Sequence, residues 1–570
     1  MATGALSALS LYRETLGFPI AYLALLTTML FWVTQATSWN VLSGYSGYFS
    51  FGQAAYVGVG AYTTAVLFGR HHVNFYATAL IAAGLCAVLA LGMGMLAFRL
   101  RSLRGEIFAL LTLAVPFILA ALARINGAID GGQGIIVPLP PFPPALGRFQ
   151  DFLYLINLVV AGLAVAVAFL MAHTRSGWAL ASIRDAEDVA EALGVATFRH
   201  KLLALVVSAV IGGVGGSIFA LQIGFVTVDS VFTLTVPLFV IVMSVLGGRT
   251  HWFGPVIGAV LVVLLQDRLT ALDLTGWQLV VLGAVLILMV LIAPEGIYVR
   301  VRALFPRRRG KATEAVGPDI PESTVDSDAA LVECDGLTRH FGGVHAVQNL
   351  TLWIRQGELV GLVGPNGSGK TTLVSMLAGS LRPTRGSIRI AGRDTTGLPP
   401  HRIAHAGVAR TYQIPRPFAS MTVRDNVAMA VMFGREPRSL GAARRIAERH
   451  LVMVGLAHLA GAYPSALNLH QRQLLEIARA LATAPQLLLL DEALAGLNPA
   501  EIDNAVEVIR RVHASGITIV IVEHLLRVVK ALATRVIVLD RGTCLADGDP
   551  GTVLSDPAVV QAYLGKRAHA

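Results

Sequence analysis

The chain up to about residue 302 is a series of long apolar runs separated by short polar stretches. A helix needs about 20 apolar residues to cross the hydrocarbon core of a bilayer. These runs therefore predict a polytopic α-helical membrane domain with eight to ten spans. The candidate spans are 18–36, 41–68, 76–98, 107–123, 152–172, 202–222, 231–247, 252–267 and 277–293.

The run 41–68 is longer than one span requires, and it contains Gly44, Gly47, Gly52 and Gly60. Because glycine weakens a helix interior, we expect this run to be broken or partly re-entrant. The number of spans and its parity are therefore left open. The first residues lack the basic flank, short apolar run and small-residue cleavage site of a signal peptide, so we expect the first apolar run to be retained.

The pattern changes after residue 302. Residues 303–328 lose all apolar periodicity and place basic residues before acidic ones with Pro and Ser, which is typical of a solvated linker. From residue 329 onward, short leucine-rich and β-branched runs alternate with helical runs, which predicts an α/β domain with a mainly parallel sheet. The predicted domains are 1–302 in the membrane, a linker at 303–328, and the α/β domain at 329–570.

Composition and charge agree with a membrane protein. Hydrophobic residues make up 55% and charged residues 14%, whereas soluble proteins carry about 25% charged residues. The net charge is +10, and basic residues collect beside apolar segments, for example Arg175, Arg184, Arg199 and Lys201 in the stretch 173–201. Positive charge marks cytoplasmic loops, so we expect a multi-pass protein of the cytoplasmic (inner) membrane that contacts lipid, with a cytoplasmic α/β domain and no nucleic-acid partner.

A glycine-rich loop stands at the start of the α/β domain. Residues 364–371 read GPNGSGKT and fit G-x-x-x-x-G-K-[ST], after the apolar run 359–363 and before a helical run. This context predicts a phosphate-binding loop, because glycines let backbone N–H groups face phosphate oxygens at a helix N-terminus. Lys370 is predicted to reach the β- and γ-phosphates of ATP, and Thr371 to ligate Mg²⁺. The predicted nucleotide-binding residues of this segment are Gly364, Asn366, Gly367, Ser368, Gly369, Lys370, Thr371 and Thr372.

An acidic pair follows a second apolar run. Four leucines at 487–490 predict a buried strand that brings Asp491 and Glu492 to its C-terminal end. We expect Asp491 to help hold Mg²⁺ and Glu492 to polarise the attacking water as a general base. An isolated Asp-Glu pair is usually a solvated turn, but this strand and the phosphate loop upstream favour catalysis.

With these motifs, residues 329–570 resemble the ATP-binding-cassette (ABC) family of ATPases. The resemblance implies that Gln413, in ARTYQIPRPF, belongs to the glutamine loop, which senses Mg²⁺ and faces the permease. It implies that His524 is the switch histidine at the γ-phosphate, and that Phe341 stacks on adenine. The implied catalytic residues are Glu492, His524 and Gln413, and the implied Mg²⁺ ligands are Thr371, Gln413 and Asp491.

The signature motif departs from the family's usual LSGGQ or LSYGQ, because residues 467–471 read LNLHQ. In this family, ATP lies between one subunit's phosphate loop and its partner's signature, so the resemblance implies that Asn468 and Gln471 contact a partner's nucleotide. His470 replaces a glycine whose backbone N–H approaches the γ-phosphate. We expect the imidazole to obstruct that approach or to bring a different donor, whereas the Asn468 amide can still donate a hydrogen bond.

This substitution predicts an asymmetric pair of ATP sites in the assembled transporter. The site that uses this chain's Lys370 and Glu492 is expected to be competent. The site that uses this chain's signature is expected to be impaired.

Most of residues 20–300 resembles the permease subunits of branched-chain amino acid (Liv-type) importers. The similarity rests on the stretches 40–55, 103–114 and 174–194. In the third stretch, the resemblance implies a coupling loop, a short helix that docks beside Gln413 and transmits closure of the ATPase dimer. An ordinary amphipathic surface helix is the alternative.

The resemblance implies ATP-driven import of branched-chain or related small amino acids, with ATP and Mg²⁺ as cofactors. The implied partners are a second permease subunit, a second ABC ATPase subunit, an extracytoplasmic substrate-binding protein and a small-molecule substrate. Similar systems carry urea, short amides and aromatic acids, so the cargo stays open. Two other classes are considered. One is a half-transporter exporter, which usually has six long spans, and the other is a membrane sensor that moves no solute.

Overall fold

A computed structural model of the chain describes residues 19–99, 105–143, 148–292, 296–303 and 329–564. The predicted linker from residue 304 to 328, the first 18 residues and Leu103 and Arg104 of the second permease-like stretch lie outside the described residues. The chain divides into two compact units. The first comprises residues up to Arg184 and Thr197–Arg309, and the second comprises Asp185–Ala196 and the residues from Gly310 onward.

The first unit is built from long apolar helices. Among the described residues, seven helices are long and apolar enough to cross a membrane, and they correspond to seven of the predicted spans. These are Ile20–Gly44, Phe75–Arg99, Glu106–Ile125, Phe149–His173, Thr197–Ile223, Val228–Gly247 and Gly254–Ala271. The predicted span 277–293 corresponds to a shorter helix, Gln278–Ile292. The shorter elements of this region are the strands β1 (Ile135–Ile136) and β2 (Phe225–Val226), the 3₁₀ turn Thr275–Trp277, and the helices Arg175–Ala192 and Ile297–Ala303.

The long run 41–68 is broken, as its glycines predict. Helix Ile20–Trp39 passes into a π-helical turn at Asn40–Gly44, and a new helix begins at Gln53 and ends in a second π-helical segment, Ala65–Arg70. Inside the break, the Trp39 indole N–H donates to the carbonyl of Ser50 at 2.7 Å. The total of eight to ten spans stays a prediction.

Small residues and one polar cluster hold this unit together. A Cβ on Gly60 would collide with the carbonyl of Gly213 on the neighbouring helix, so the two backbones touch directly, as small residues permit in membranes. The buried Gln53 amide donates to Gln35 Oε1 at 2.6 Å and to Ser38 Oγ at 3.1 Å. Gln53 is therefore paired inside the bundle, which supports a packing role for it.

The second unit contains two sheets. Parallel strands in its larger sheet read as continuous apolar runs because both faces are covered. The strands are β3 (Ala330–Phe341), β4 (Val344–Arg355), β5 (Leu359–Val363), β6 (Arg385–Ile390), β7 (Arg393–Asp394), β8 (Val408–Arg410), β9 (Leu487–Asp491), β10 (Thr518–Val522), β11 (Arg535–Asp540) and β12 (Thr543–Gly548). The helices are Lys370–Leu377, Pro400–His405, Val423–Phe433, Leu440–Met453, Leu469–Leu481, Pro499–Ala514, Leu526–Leu532, Pro550–Val553 and Pro557–Leu564, with 3₁₀ turns at Ala457–Leu459 and Pro464–Ala466.

The larger sheet has the order β12-β11-β5-β10-β9-β8, and the smaller sheet has the order β4-β3-β6-β7. Strands β11, β5, β10, β9 and β8 pair in parallel, whereas β12 is antiparallel to β11. The smaller sheet is antiparallel throughout. An apolar core joins both sheets to helix Lys370–Leu377. Because the parallel strands run the same way, the segments that follow them meet at one edge of the sheet, where such folds bind ligands.

The segment Asp185–Ala196 belongs to the second unit although it lies in the chain between two apolar helices. Helix Arg175–Ala192 is interrupted at Ala186, whose backbone is extended (φ −160°, ψ 89°). This break separates the residues that follow from the helix that precedes them.

Candidate functional site

The glycine-rich loop lies between β5 and helix Lys370–Leu377, as its sequence context predicts. Gly369 has φ +103°, and a Cβ there would collide with the carbonyl of Ala346. Glycine is therefore required at the residue where the loop turns into the helix. Asn366 and Gly367 are exposed at the tip of the loop, whereas Ser368 is buried.

Lys370 closes the loop on itself. Its ammonium donates to the carbonyl of Gly364 at 2.7 Å and to the carbonyl of Pro365 at 3.0 Å. Burial lowers the pKa of Lys370, while the charges of Glu492 and Asp491 act in the opposite direction. A positive charge held beside backbone N–H groups at a helix N-terminus makes a site for a phosphate-like anion.

The carboxylate of Glu492, which follows β9, is hydrogen-bonded to side chains that follow β8 and β10. Gln413, beyond β8, donates its amide to Glu492 Oε2 at 2.6 Å. His524, beyond β10, has its Nε2 at 3.0 Å from Glu492 Oε1. The structure thus brings together all three residues that the resemblance implies as catalytic. Glu492 itself has φ +48°, a conformation that a residue with a side chain adopts at a cost of about 1 kcal/mol or more.

Asp491 has a partner that sequence reasoning missed. The guanidinium of Arg410, which is largely covered, donates to Oδ2 of the buried Asp491 at 2.7 Å. Arg410 also donates to Ser375 Oγ at 3.1 Å, which ties β8 to the helix after the phosphate loop. The signal in the sequence was a lone arginine at the end of a short strand, three residues before Gln413.

The residues implied as Mg²⁺ ligands supply oxygen atoms only. Thr371 lies exposed in the first turn of its helix and is followed by the partly buried Thr372. Asp491 is the last residue of β9, and Gln413 follows the neighbouring strand β8. Hydroxyl, carboxylate and amide oxygens are ligands that Mg²⁺ accepts, usually together with substrate phosphates and water. Across the described residues, no group of three His, Cys, Asp or Glu side chains could hold a metal ion. The donor set therefore fits Mg²⁺ bound together with a nucleotide.

Phe341 ends β3 and is 46% exposed. The guanidinium of Arg339 lies 4.7 Å from the centre of its ring, which is cation–π geometry. Strand β4 follows, and its Ala346 carbonyl lies against Gly369 of the phosphate loop. The hairpin that carries Phe341 is therefore attached to the loop.

Asn468 and Gln471 start helix Leu469–Leu481 and satisfy each other. Asn468 Oδ1 accepts from the Gln471 backbone N–H at 2.8 Å, and Gln471 Oε1 accepts from the Asn468 backbone N–H at 3.1 Å. This is a capping box. Between them, His470 is partly buried, and burial lowers its pKa. The His470 imidazole is therefore neutral at physiological pH.

The loop after Glu492 is held by two side chains that sequence reasoning did not single out. Gln473 donates to the carbonyl of Ala495 at 2.9 Å, and the buried Glu523 accepts from the backbone N–H of Leu494 at 3.0 Å. Burial raises the pKa of Glu523 to about 7. These contacts link the signature helix and the end of β10 to the same loop.

The segment Asp185–Ala196 contacts residues around Gln413. Asp185 Oδ2 accepts from both the backbone N–H and the hydroxyl of Ser420, at 2.8 and 2.6 Å. The hydroxyl of Tyr412 donates to the carbonyl of Asp188 at 3.3 Å. A Cβ on Gly194 would collide with the carbonyl of Phe433, so the backbones are in direct contact there.

Three protein families match successive parts of the chain. The family described as "Branched-chain amino acid transport system / permease component" matches residues 21–290. The ABC transporter family matches residues 347–495, and the family described as "Branched-chain amino acid ATP-binding cassette transporter" matches residues 543–569. With the seven apolar helices and the two-sheet α/β unit, these matches confirm the predicted fold class.

Curated relatives match the C-terminal part. The high-affinity branched-chain amino acid transport ATP-binding protein BraF of Pseudomonas aeruginosa is 37% identical over 253 residues, which cover 41% of this chain and 98% of the relative. The corresponding protein LivG of Escherichia coli is 37% identical over 252 residues, with the same coverage. A crystal structure of a nucleotide-free ATP-binding cassette from an ABC transporter is 28% identical, covers 42% of this chain and all of that chain, and has a TM-score of 0.39.

The geometry at Glu492 predicts that Glu492→Gln lowers ATP hydrolysis by at least about 100-fold, the usual contribution of a general base. ATP binding is expected to persist because Lys370 and its loop are unchanged. Phosphate release by the assembled complex and equilibrium ATP binding measure the two effects. Glu507→Gln, an exposed acid on a nearby helix, is the matched control. Turnover near the wild-type rate in Glu492→Gln would show that another group activates the water.

Proposed function

The chain belongs to the branched-chain amino acid family of ABC transporters, in which it joins a permease half to an ATP-binding half, and we propose that it imports branched-chain or related small amino acids. It is a multi-pass membrane protein whose ATP hydrolysis is coupled to transport. One observation carries the proposal: the permease half and the ATP-binding half match families named for the same cargo.

In the proposed mechanism, phosphate oxygens of ATP replace the carbonyl oxygens of Gly364 and Pro365 as partners of the Lys370 ammonium. The anion gains the backbone N–H groups of the loop at the same time. When bound, Mg²⁺ would neutralise phosphate charge, held by Thr371, Gln413 and Asp491. The ion pair from Arg410 orients the Asp491 carboxylate for this role.

Glu492 is proposed as the base. Its carboxylate takes a proton from the water whose oxygen attacks the γ-phosphorus, while the bond from that phosphorus to the bridging oxygen of ADP breaks. ADP and inorganic phosphate then leave. Because Gln413 and His524 both donate to Glu492, the carboxylate is already oriented. Movement of the glutamine loop or of the loop after β10 would therefore change the position of the Glu492 carboxylate.

Transport is tested with the chain reconstituted into proteoliposomes with its second permease and ATPase subunits. With the extracytoplasmic binding protein on one side and Mg-ATP on the other, labelled leucine is expected to accumulate, and unlabelled isoleucine and valine to compete. Competition by urea or short amides alone would assign the alternative cargo. Export of leucine would indicate an exporter, and hydrolysis without accumulation would indicate a sensor.

The contacts of Asp185 support a coupling role for the segment Asp185–Ala196. A carboxylate that accepts two hydrogen bonds from Ser420 can transmit displacement of the segment to the stretch that follows the glutamine loop. The bonds to a charged group are worth about 1.5 kcal/mol or more each, which makes their loss measurable.

Asp185→Ala is expected to lower leucine transported per ATP hydrolysed by at least about tenfold, because it removes both bonds and each about 1.4 kcal/mol of coupling corresponds to a factor of ten. Uptake and phosphate release are measured on the same proteoliposomes. Asp503→Ala, which removes an exposed carboxylate elsewhere in the unit, is the control. An unchanged ratio would contradict coupling through this contact.

The signature supports unequal ATP sites. Burial lowers the pKa of His470, and its imidazole adds bulk where the family has glycine. We propose that the partner's nucleotide, which would face this motif, is hydrolysed poorly.

Replacing Asn468 and His470 together by Ser and Gly is expected to raise ATP turnover of the complex. The effect is clearest when Glu492→Gln has already removed this chain's own site, since any gain then comes from the partner's site. His458→Gly, at an exposed histidine, is the control. If turnover does not rise above that of Glu492→Gln alone, the signature motif does not limit hydrolysis at the second site.

A further inference from the structure

The last described helix, Pro557–Leu564, contacts the first residue of the phosphate loop through Tyr563. The backbone N–H of Gly364 donates to the hydroxyl of Tyr563 at 2.7 Å. Gly364 is the first residue of the loop, directly after β5, and 199 residues separate it from Tyr563 in the chain. Tyr563 lies outside the phosphate loop, the glutamine loop, the signature and the acidic pair, within the C-terminal stretch 543–569 that matches the branched-chain family.

An apolar cluster holds Tyr563 in place. Tyr563 packs against a cluster of six buried valines that come from β5, β11, two other helices and its own helix. These are Val363, Val529, Val536, Val538, Val553 and Val559. Val363 precedes Gly364, so the packing and the hydrogen bond fix the same part of the backbone. Burial raises the pKa of the Tyr563 phenol, so the hydroxyl stays protonated at physiological pH.

Gly364 is restrained on three sides. Its φ is +147°, and a Cβ there would collide with the carbonyl of Leu539, so only glycine fits against β11. Tyr563 holds its N–H, and the ammonium of Lys370 holds its carbonyl at 2.7 Å. One of these restraints cannot survive nucleotide binding, because Lys370 has to turn from the carbonyl to the phosphates.

We propose that Tyr563 is a positioning residue for nucleotide binding, which keeps Gly364 and the start of the phosphate loop in place when Lys370 transfers to the phosphates of ATP. The inference rests on the proposed role of Lys370. In this structure two polar contacts hold Gly364, one at its N–H and one at its carbonyl. With nucleotide, the hydroxyl of Tyr563 is the remaining polar contact to this residue. The C-terminal helix is then part of the nucleotide site, although it touches no phosphate.

The test is Tyr563→Phe in the full-length chain in detergent, because this change keeps the ring in the valine cluster and removes only the hydroxyl. Equilibrium binding of Mg-ATP is expected to weaken about fivefold, the factor for one neutral hydrogen bond. The thermal midpoint of the nucleotide-free chain is expected to fall by no more than about 2–4 °C, the effect of one neutral hydrogen bond on a domain of this size. In the assembled complex, KM for ATP should rise by a similar factor while kcat stays constant, since the hydroxyl does not touch the reacting atoms.

Two further variants separate the possible results. Tyr463→Phe, which removes an exposed hydroxyl of the same unit, should bind ATP as the wild type does, and Lys370→Ala should abolish binding. If Lys370→Ala abolishes binding but Tyr563→Phe binds normally, the inference is wrong and the proposed function stands. If Tyr563→Phe lowers the thermal midpoint without nucleotide while affinity is unchanged, Tyr563 is only a structural residue. If the wild-type chain binds no ATP, the proposed function fails and the inference fails with it.

Discussion

The hydrogen bonds to the carboxylate of Glu492 connect the ends of β8, β9 and β10 into one site. Each of these strands is a short apolar run, and their parallel pairing brings the residues that follow them to a single edge. The two donors come from residues 79 and 32 positions away in the chain, Gln413 and His524. Glu492 has a left-handed backbone conformation, which carries a free-energy cost that the surrounding sheet has to offset. A disturbance of any of the three loops therefore acts on the same carboxylate.

Polar groups have different roles in the two units. In the membrane unit, the Gln53 amide donates to Gln35, and the Gln35 amide donates to the carbonyl of Gly212, because an unpaired amide is costly in hydrocarbon. In the second unit, buried polar groups such as the pair between Arg410 and Asp491 order loops that face solvent. The segment Asp185–Ala196 is also rich in polar residues, and it belongs to the second unit. The helix that contains its first residues is interrupted at Ala186.

Local patterns predicted much of this architecture. A few consecutive residues were enough to predict the phosphate loop, the strand that ends at Asp491 and the interruption of the run 41–68. The structure contains all three at the expected positions. The contacts of Arg410, Ser420 and Tyr563 could not be predicted in that way. They join residues that are 81, 235 and 199 positions apart, and they depend on which strands become neighbours and how helices cover them. A single sequence carries no direct signal of such long-range packing.

The contacts of the Lys370 ammonium with its own loop have a consequence for selectivity among small molecules in the cell. Because the ammonium already donates to two carbonyls and, at 3.5 Å, to the hydroxyl of Ser368, an arriving ligand has to compete with these oxygens. The charged oxygens of a polyphosphate form stronger hydrogen bonds with the ammonium than neutral carbonyls do, whereas an uncharged nucleoside has no charged oxygen that could replace them. Under the proposed role of Lys370, the loop would therefore select ligands by their charge before the base is recognised.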